Sequence, residues 1–434
     1  MSTPIAAASE QSAPGHLTGR RVAAAVAGNA LEFYDFTAYA FFAVQVGKTF
    51  FPGHTPFDTL ILSLITFGVG FVGRPLGAIV IGRYGDRAGR RPAMQLSFFL
   101  MWLGVLGLVL TPSYVQIGPA APILVLIGRL VQGFALGGEV GPTTAFLIEA
   151  SPPSRRGFFG TWQYASQCLA NLTAGLIGFG LARAISPASL EAWGWRVPFA
   201  LGAAALPLCW RLRRELPETL GPAERLIRRG EDENADYRRA IMLAVPMLCS
   251  TTVSFAMFNY LTTYSVAILQ MKQAVAFGAT VAWGGCGLAF NLLGGWLSDR
   301  CGRKALMIWP RLCFLALIIP CFWWIVHARS AESLIGGTII LTSLASLSNG
   351  VSLVCLTEAI PKAVRSGSLA IVYAVAIALF NGTAQLLVTW LIRETGDVLW
   401  PAWYLTGVTV VGLVAMALMR ETAPALLNRG RDGR

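Results

Sequence analysis

Four ionisable residues stand in stretches too apolar to hold them without a reason. Glu32 and Asp35 fall within GNALEFYDFTAY, and Arg129 and Glu139 within GRLVQGFALGGEVGPTTAF. Burial penalises the charged form of a carboxyl, so an acid in such a place is suited to loading and releasing a proton. Asn29, Glu32, Asp35 and Tyr39 are spaced three, three and four apart, which predicts one helical face. Arg129 and Glu139 are ten residues apart, about 15 Å on a helix, so they are not a direct pair. The carboxylates of the first stretch are the natural partners for Arg129, and Glu139 is a second proton-site candidate. The set Glu32, Asp35, Arg129 and Glu139 reads as proton-coupling; a hydrogen-bond network tying one helix to its neighbour is the alternative.

Arg74 lies twelve residues before Asp86, about 18 Å along a helix. At that depth it either pairs with a buried acid or meets an anionic solute. Neutral polar residues recur in other apolar stretches: Gln132; Gln163, Tyr164, Gln167 and Asn171; Asn259, Tyr260 and Tyr264; Tyr373, Asn381 and Gln385. They suit hydrogen bonds to a polar solute, or bonds between helices. The expected substrate-binding set is Asn29, Tyr39, Arg74, Gln132, Gln163, Gln167, Asn259, Tyr264 and Asn381.

The elements that carry these residues follow from composition. Of 434 residues, 55% are apolar and 13% charged, roughly half the charge of a soluble domain. Stretches such as 59–82, 92–111 and 400–419 hold about 20 or more residues almost free of charge, the length that crosses a bilayer core. Twelve spans can be marked: 22–46, 59–82, 92–111, 120–149, 158–182, 194–210, 240–269, 275–298, 305–326, 333–358, 367–392 and 400–419. The expectation is an all-α integral membrane protein. With the N-terminus inside, 25 Lys and Arg fall on the cytoplasmic side, five on the other and four within spans. That asymmetry predicts both termini in the cytoplasm and explains the net charge of +12 without a nucleic-acid partner.

The segment 211–239 carries 15 charged residues in 29 and divides the spans six and six. The expected organisation is a tail over 1–21, a six-helix bundle over 22–210, a cytoplasmic linker over 211–239, a second bundle over 240–420, and a tail over 421–434. The halves echo each other. GRYGDRAGRR (82–91) is matched by GWLSDRCGRK (295–304), with Asp86 and Asp299 213 residues apart. IEASPPSRRG (148–157) is matched by TEAIPKAVRSG (357–367), with Glu149 and Glu358 209 apart. Two echoes at nearly one offset indicate duplication of a six-helix unit. Such repeats build secondary transporters, with the substrate site near the midplane between them.

Several chemistries are disfavoured. The eight cysteines are scattered, mostly in apolar spans, with no CxxC, zinc spacing or disulfide framework; they read as small buried hydrophobes. Gly68-Val69-Gly70-Phe71-Val72-Gly73 matches GxGxxG but lies inside an apolar helix, where close packing explains its glycines, as it does Gly133, Gly137 and Gly141. No Walker loop, HExxH or Ser/His/Asp arrangement is present, so neither ATP drive nor an enzyme is expected. The first 20 residues are polar and no cleavable leader is read.

These residues resemble the major facilitator superfamily. Gly82, Asp86, Arg87, Gly89, Arg90 and Arg91 carry its loop signature, with Tyr84-Gly85 in place of Leu-Ala. Arg129, Gln132, Gly133 and Gly137 resemble the motif in its fourth helix that is associated with proton coupling. GNALEFYDF, RLVQGFALGGEVG, GFFGTWQYASQ and WGWRVPF look like the metabolite:proton symporter family, and PSYVQIGPAAPILVLIGRLVQGF and TGDVLWPAWYL are most similar to its citrate and tricarboxylate carriers. The family usually has Trp where Phe33 stands. The resemblance implies the major facilitator fold of two pseudo-symmetric six-helix bundles, and a proton symporter in the bacterial inner membrane acting as a monomer. Protons, a small organic acid and the bilayer are its partners, and the proton gradient drives it without a cofactor. Asp86, Arg87, Arg90, Asp299, Arg300 and Arg303 are implied to form a gating latch. The alternatives are a symporter for α-ketoglutarate or shikimate, or one for a zwitterionic compatible solute, which would tolerate loss of Arg74; a transport-fold sensor is the rival from another class.

Overall fold

The computed structural model describes residues 19–51, 56–214 and 235–426. Among the described residues, twelve helices cross the molecule. In the first half, α1 (Gly19–Phe41) is continued by a short helix (Ala43–Phe50), followed by α2 (Pro56–Arg87), α3 (Arg90–Leu110), α4 (Ala120–Glu149), α5 (Trp162–Ala184) and α6 (Arg196–Arg214). The second half holds α7 (Ala235–Ala267), α8 (Gln273–Cys301), α9 (Arg303–Ala328), α10 (Ala331–Ala359), α11 (Arg365–Ala376, a π turn over Ile377–Asn381, then Gly382–Thr395) and α12 (Trp400–Leu418). Among the described residues, nine helices are long and apolar enough to cross a membrane on length and composition alone.

Glycine decides how closely the helices approach. On α2, Gly73 lies where an added Cβ would come 2.8 Å from the Leu130 carbonyl oxygen of α4, and the same test on Gly133 and Gly137 meets the backbone carbonyls of Gly70 and Arg74. This close contact fixes the depth of Arg74 and Arg129 relative to each other. Gly68, grouped with these glycines by sequence, has nothing within 4 Å of an added Cβ. The halves meet where α2 and α4 pack on α11 and where α5 packs on α8. Gly284 sits within 2.7 Å (added Cβ) of the Leu172 backbone at the second seam.

Residues 215–234 of the linker, 1–18 of the first tail and 427–434 of the last lie outside the described residues. The helices reach into the expected linker at both ends, to Arg214 and from Ala235. Glu421 begins the expected tail but is docked: its carboxylate accepts the N–H groups of Arg303 at 2.9 Å and Lys304 at 3.0 Å, the first residues of α9. Trp195 is fully buried against Phe50 and Phe199, because α6 begins there under the short extension of α1. One smaller expectation changes. Cys301 and Cys313 are exposed, since their helix faces turn away from the bundle interior.

Candidate functional site

Between the halves lies a small cavity of about 30 Å³. Phe33, Phe36, Thr37 and Ala40 of α1 and Phe67, Phe71 and Arg74 of α2 form one wall; Phe255 and Asn259 of α7 and Asn381 and Gln385 of α11 form the other. Arg74 therefore lines this cavity with three side-chain amides opposite. Its guanidinium carbon lies 4.3 Å from the Phe71 ring centroid and 4.7 Å from that of Phe36, contacts that favour a desolvated cation. The Phe36, Phe67 and Phe71 rings pack edge to face at 5.1–6.0 Å, and Phe33 meets Phe255 across the halves at 6.4 Å.

Behind that wall sits a buried ion pair. Arg129 Nη1 donates to Asp35 Oδ2 at 3.2 Å, and both side chains are at most 3% exposed. Arg129 also stacks 3.7 Å over the Tyr39 ring and reaches Phe36 at 5.5 Å. Phe36 thus touches both arginines. Asp35 Oδ1 and Arg129 Nε and Nη2 have no hydrogen-bond partner among the described residues. A pair this incompletely satisfied is held mainly by its own attraction, so neutralising either partner releases the other.

The single face expected of Asn29, Glu32, Asp35 and Tyr39 is divided. Each three-residue step falls about 60° short of a full turn, which separates Asn29 from Asp35 by about 120°. Asn29 donates to Ser166 Oγ (2.6 Å) and the Gln163 carbonyl (3.1 Å) of α5, Asp35 faces α4, and the Tyr39 hydroxyl reaches the Ser63 carbonyl of α2 at 3.3 Å. The Glu32 side chain lies outside the described residues. Glu139 is fully buried and accepts from Thr143 Oγ1 at 2.7 Å, well separated from the Asp35–Arg129 pair.

Of the expected substrate set, Arg74, Asn259 and Asn381 share the cavity. Gln163 bonds Asn29 at 2.9 Å and Gln167 bonds the Tyr373 hydroxyl at 3.3 Å across the seam. The Tyr264 hydroxyl donates to the Val398 carbonyl at 2.7 Å, at the end of the molecule away from the loop motifs. Gln132 is buried on α4, where its side chain is what a Cβ on Gly104 would strike. Gln132, Gln163 and Tyr264 make contacts within their own half, and Gln167 bonds across the seam outside the cavity lining. Gln385 lines the cavity as well.

At the basic end, the duplicated motifs, expected to form a gate, make one network of ion pairs and hydrogen bonds between the halves. Asp86 accepts the Gly367 N–H at 2.9 Å and pairs with Arg90 at 2.5 Å. Arg90 also reaches Glu149 at 3.4 Å and the Lys362 carbonyl at 3.0 Å. In the other half, Asp299 accepts the N–H groups of Gly157 (2.7 Å) and Phe158 (2.9 Å), and Arg303 holds Asp299 at 2.8 Å and Glu358 through two nitrogens at 3.1 and 3.2 Å. Arg365 crosses to Glu149 at 3.2 Å. This end of the molecule is closed. Arg87 and Arg300, expected in the latch, are exposed, Arg300 lying 3.7 Å over Trp296; each directly follows its aspartate, and that step turns it away from the seam. The gate members absent from that expectation are Glu149, Glu358 and Arg365. The 209-residue echo of the two glutamates was the signal that could have found them.

Comparison with known proteins agrees with this architecture. The family described as "Sugar (and other) transporter" matches residues 21–220 and again 223–427, once in each half. The citrate-proton symporter of Salmonella typhi is 35% identical over 90% of this chain and 92% of its own length. The α-ketoglutarate permease of Escherichia coli is 32% identical over 93% and 95%. Among solved structures, the proton:xylose symporter XylE bound to 6-bromo-6-deoxy-D-glucose superposes with a TM-score of 0.77 at 18% identity, covering 93% of this chain and 96% of that one. A buried ion pair, a cavity between duplicated six-helix bundles and full-length similarity to these carriers place the chain in the sugar (and other) transporter family of the major facilitator superfamily.

Proposed function

We propose that the protein is a proton-coupled symporter that imports a small organic acid, citrate or a related tricarboxylate first, by alternating access. The observation that carries this is Arg74 in the cavity between the halves, with the Asp35–Arg129 pair behind the ring it touches. A carboxylate entering the cavity meets a desolvated guanidinium and three amides, a combination suited to bidentate recognition. Asp35 is the proposed proton carrier, with Glu32 and Glu139 as further acids and Arg129 as the cation that senses protonation. When Asp35 takes a proton, Arg129 loses its counter-charge, and Phe36 is the wall shared with Arg74.

Proton coupling also answers an electrical problem. An inside-negative potential opposes entry by about 2.3 kcal/mol per charge per 100 mV, so co-transported protons cancel the charge of the anion and add their own gradient. No cofactor is needed for this scheme. The basic end is proposed as cytoplasmic, with both termini there, in the bacterial plasma membrane, and one chain supplies both walls of the cavity and so works as a monomer. The α-ketoglutarate permease relative makes a dicarboxylate the second substrate class. The test is uptake of labelled citrate into proteoliposomes with an imposed pH gradient: accumulation that collapses with a protonophore is expected. Absence of uptake of citrate, other tricarboxylates and α-ketoglutarate in folded, correctly inserted protein overturns the reading.

A further inference from the structure

Apart from residues at helix ends and in loops, α7 to α12 carry one charged side chain, Arg311 on α9, and no acid. Arg311 is fully buried. Its Nη1 donates to Asn349 Oδ1 at 2.9 Å, and its Nη2 to Ser250 Oγ at 2.6 Å and Ser254 Oγ at 3.1 Å. Its Nε has no hydrogen-bond partner among the described residues. Every other fully buried arginine described here faces a carboxylate: Arg90 has Asp86, Arg129 has Asp35 and Arg303 has Glu358. Arg311 has three neutral oxygens. A buried cation without an anion is costly, and three neutral oxygens supply hydrogen bonds but no counter-charge.

Its position gives this arginine a use beyond packing. Arg311 is eight residues, about 12 Å, from Arg303 at the gate, whereas Arg74 is twelve residues, about 18 Å, from Asp86 at the same end. Arg311 therefore stands about one helical turn closer to the gate than Arg74, in the opposite half. Its serine partners lie on α7, the helix that brings Phe255 and Asn259 to the cavity, and Ser254 immediately precedes Phe255. The neighbouring Thr251 accepts the Tyr164 hydroxyl of the first half at 3.1 Å, so this turn of α7 is at the seam.

We propose that Arg311 is a second anion-binding residue, which takes a substrate carboxylate after Arg74 as the anion moves toward the gate, exchanging its serine and asparagine partners for it. A polycarboxylate is then gripped by one arginine from each half. This rests on the organic-acid reading above and adds to it a residue that sets preference for multiply charged substrates.

The test measures equilibrium citrate binding to the purified full-length protein, together with ligand-free thermal stability. Arg311→Gln is expected to weaken citrate binding roughly tenfold to a hundredfold, the span of a lost charge-assisted bond, and Arg311→Lys to recover part of it. The double substitution Ser250→Ala, Ser254→Ala is expected to lower ligand-free stability while holding or raising citrate affinity, because Arg311 then has less to give up. A purely structural arginine predicts the reverse, with affinity falling in the serine variant as far as in Arg311→Gln. Wild-type citrate affinity in folded Arg311→Gln overturns the inference while leaving the organic-acid reading intact. If Arg311→Gln does not fold, the serine variant decides. If wild-type protein binds no di- or tricarboxylate, the reading and this inference fall together.

Discussion

Asp86 accepts a hydrogen bond at 2.9 Å from the backbone N–H of Gly367, 281 residues further along the chain. Asp299 makes the mirrored contact to Gly157 and Phe158. Each half thus closes on the other with one aspartate and a backbone donor in the opposing loop, and an arginine four residues later holds each aspartate in place. Glycine at 367 is required by contact: a Cβ there would strike the Asp86 carboxylate.

Opening this end must break both contacts, so Asp86→Asn is expected to unbalance the two access states while leaving the cavity unaltered. Transport should slow by about tenfold, the effect of about 1.4 kcal/mol, with citrate affinity within a few-fold of wild type. Loss of binding in folded protein counts against a gating role.

Asp35→Asn fixes the neutral form of the proposed proton carrier at nearly constant volume. The variant should still exchange internal for external substrate, which needs no net proton movement, and should lose accumulation driven by a pH gradient. Glu32→Gln and Glu139→Gln belong in the same assay. If all three variants accumulate substrate like wild type, the proton site lies elsewhere.

The α2–α4 contact leaves no room at Gly133, where a Cβ would run into the Gly70 carbonyl. Gly133→Ala should destabilise the first half by about 1–3 kcal/mol and lower the yield of folded protein. Gly68→Ala, with open space around it, should behave as wild type in the same melting assay.

Glu421 supplies a pH signature outside the membrane. Burial pushes its carboxyl up, but backbone N–H donors from Lys304, Ala423, Arg303 and Thr422 outweigh that and hold it below its ordinary value of 4.5. A depressed folded-state pKa stabilises above the unfolded value and loses that contribution as pH falls through the folded one. Glu421→Gln should therefore lower Tm at pH 7, and its gap from wild type should close as pH drops below 4.5. A gap independent of pH would show that the charge is immaterial.

Reporter fusions after Arg91, Lys304 and Arg434 are expected to read as cytoplasmic, and one after Arg329 as external, from the 25-to-5 Lys and Arg asymmetry. An external reading after Arg91 would invert the proposed direction of transport.

Twelve spans, the duplication and a partner for Arg129 on the first span were legible because each is a property of composition, offset or the cost of a charge in lipid. The partners of neutral polar residues were not. Gln163 and Asn259 are alike in type and setting, yet one ties α5 to α1 and the other lines the cavity, and only the rotation of each helix in its bundle decides which. Glu149 and Glu358 were visible as an echo, but their role depends on Arg90 and Arg303 arriving from other helices.

The π turn over Ile377–Asn381 adds one residue to a turn of α11. Past it, side chains sit out of phase, by about 100°, with the numbering of an uninterrupted helix begun at Arg365. Asn381 and Gln385 thus reach the cavity through an offset in winding that no periodicity count from Tyr373 would forecast. Deleting one residue from this turn would restore regular winding and leave both ends of α11 facing as they do now. The Gly367 contact with Asp86 and the cavity wall, carried on one helix, are in this sense separately adjustable parts.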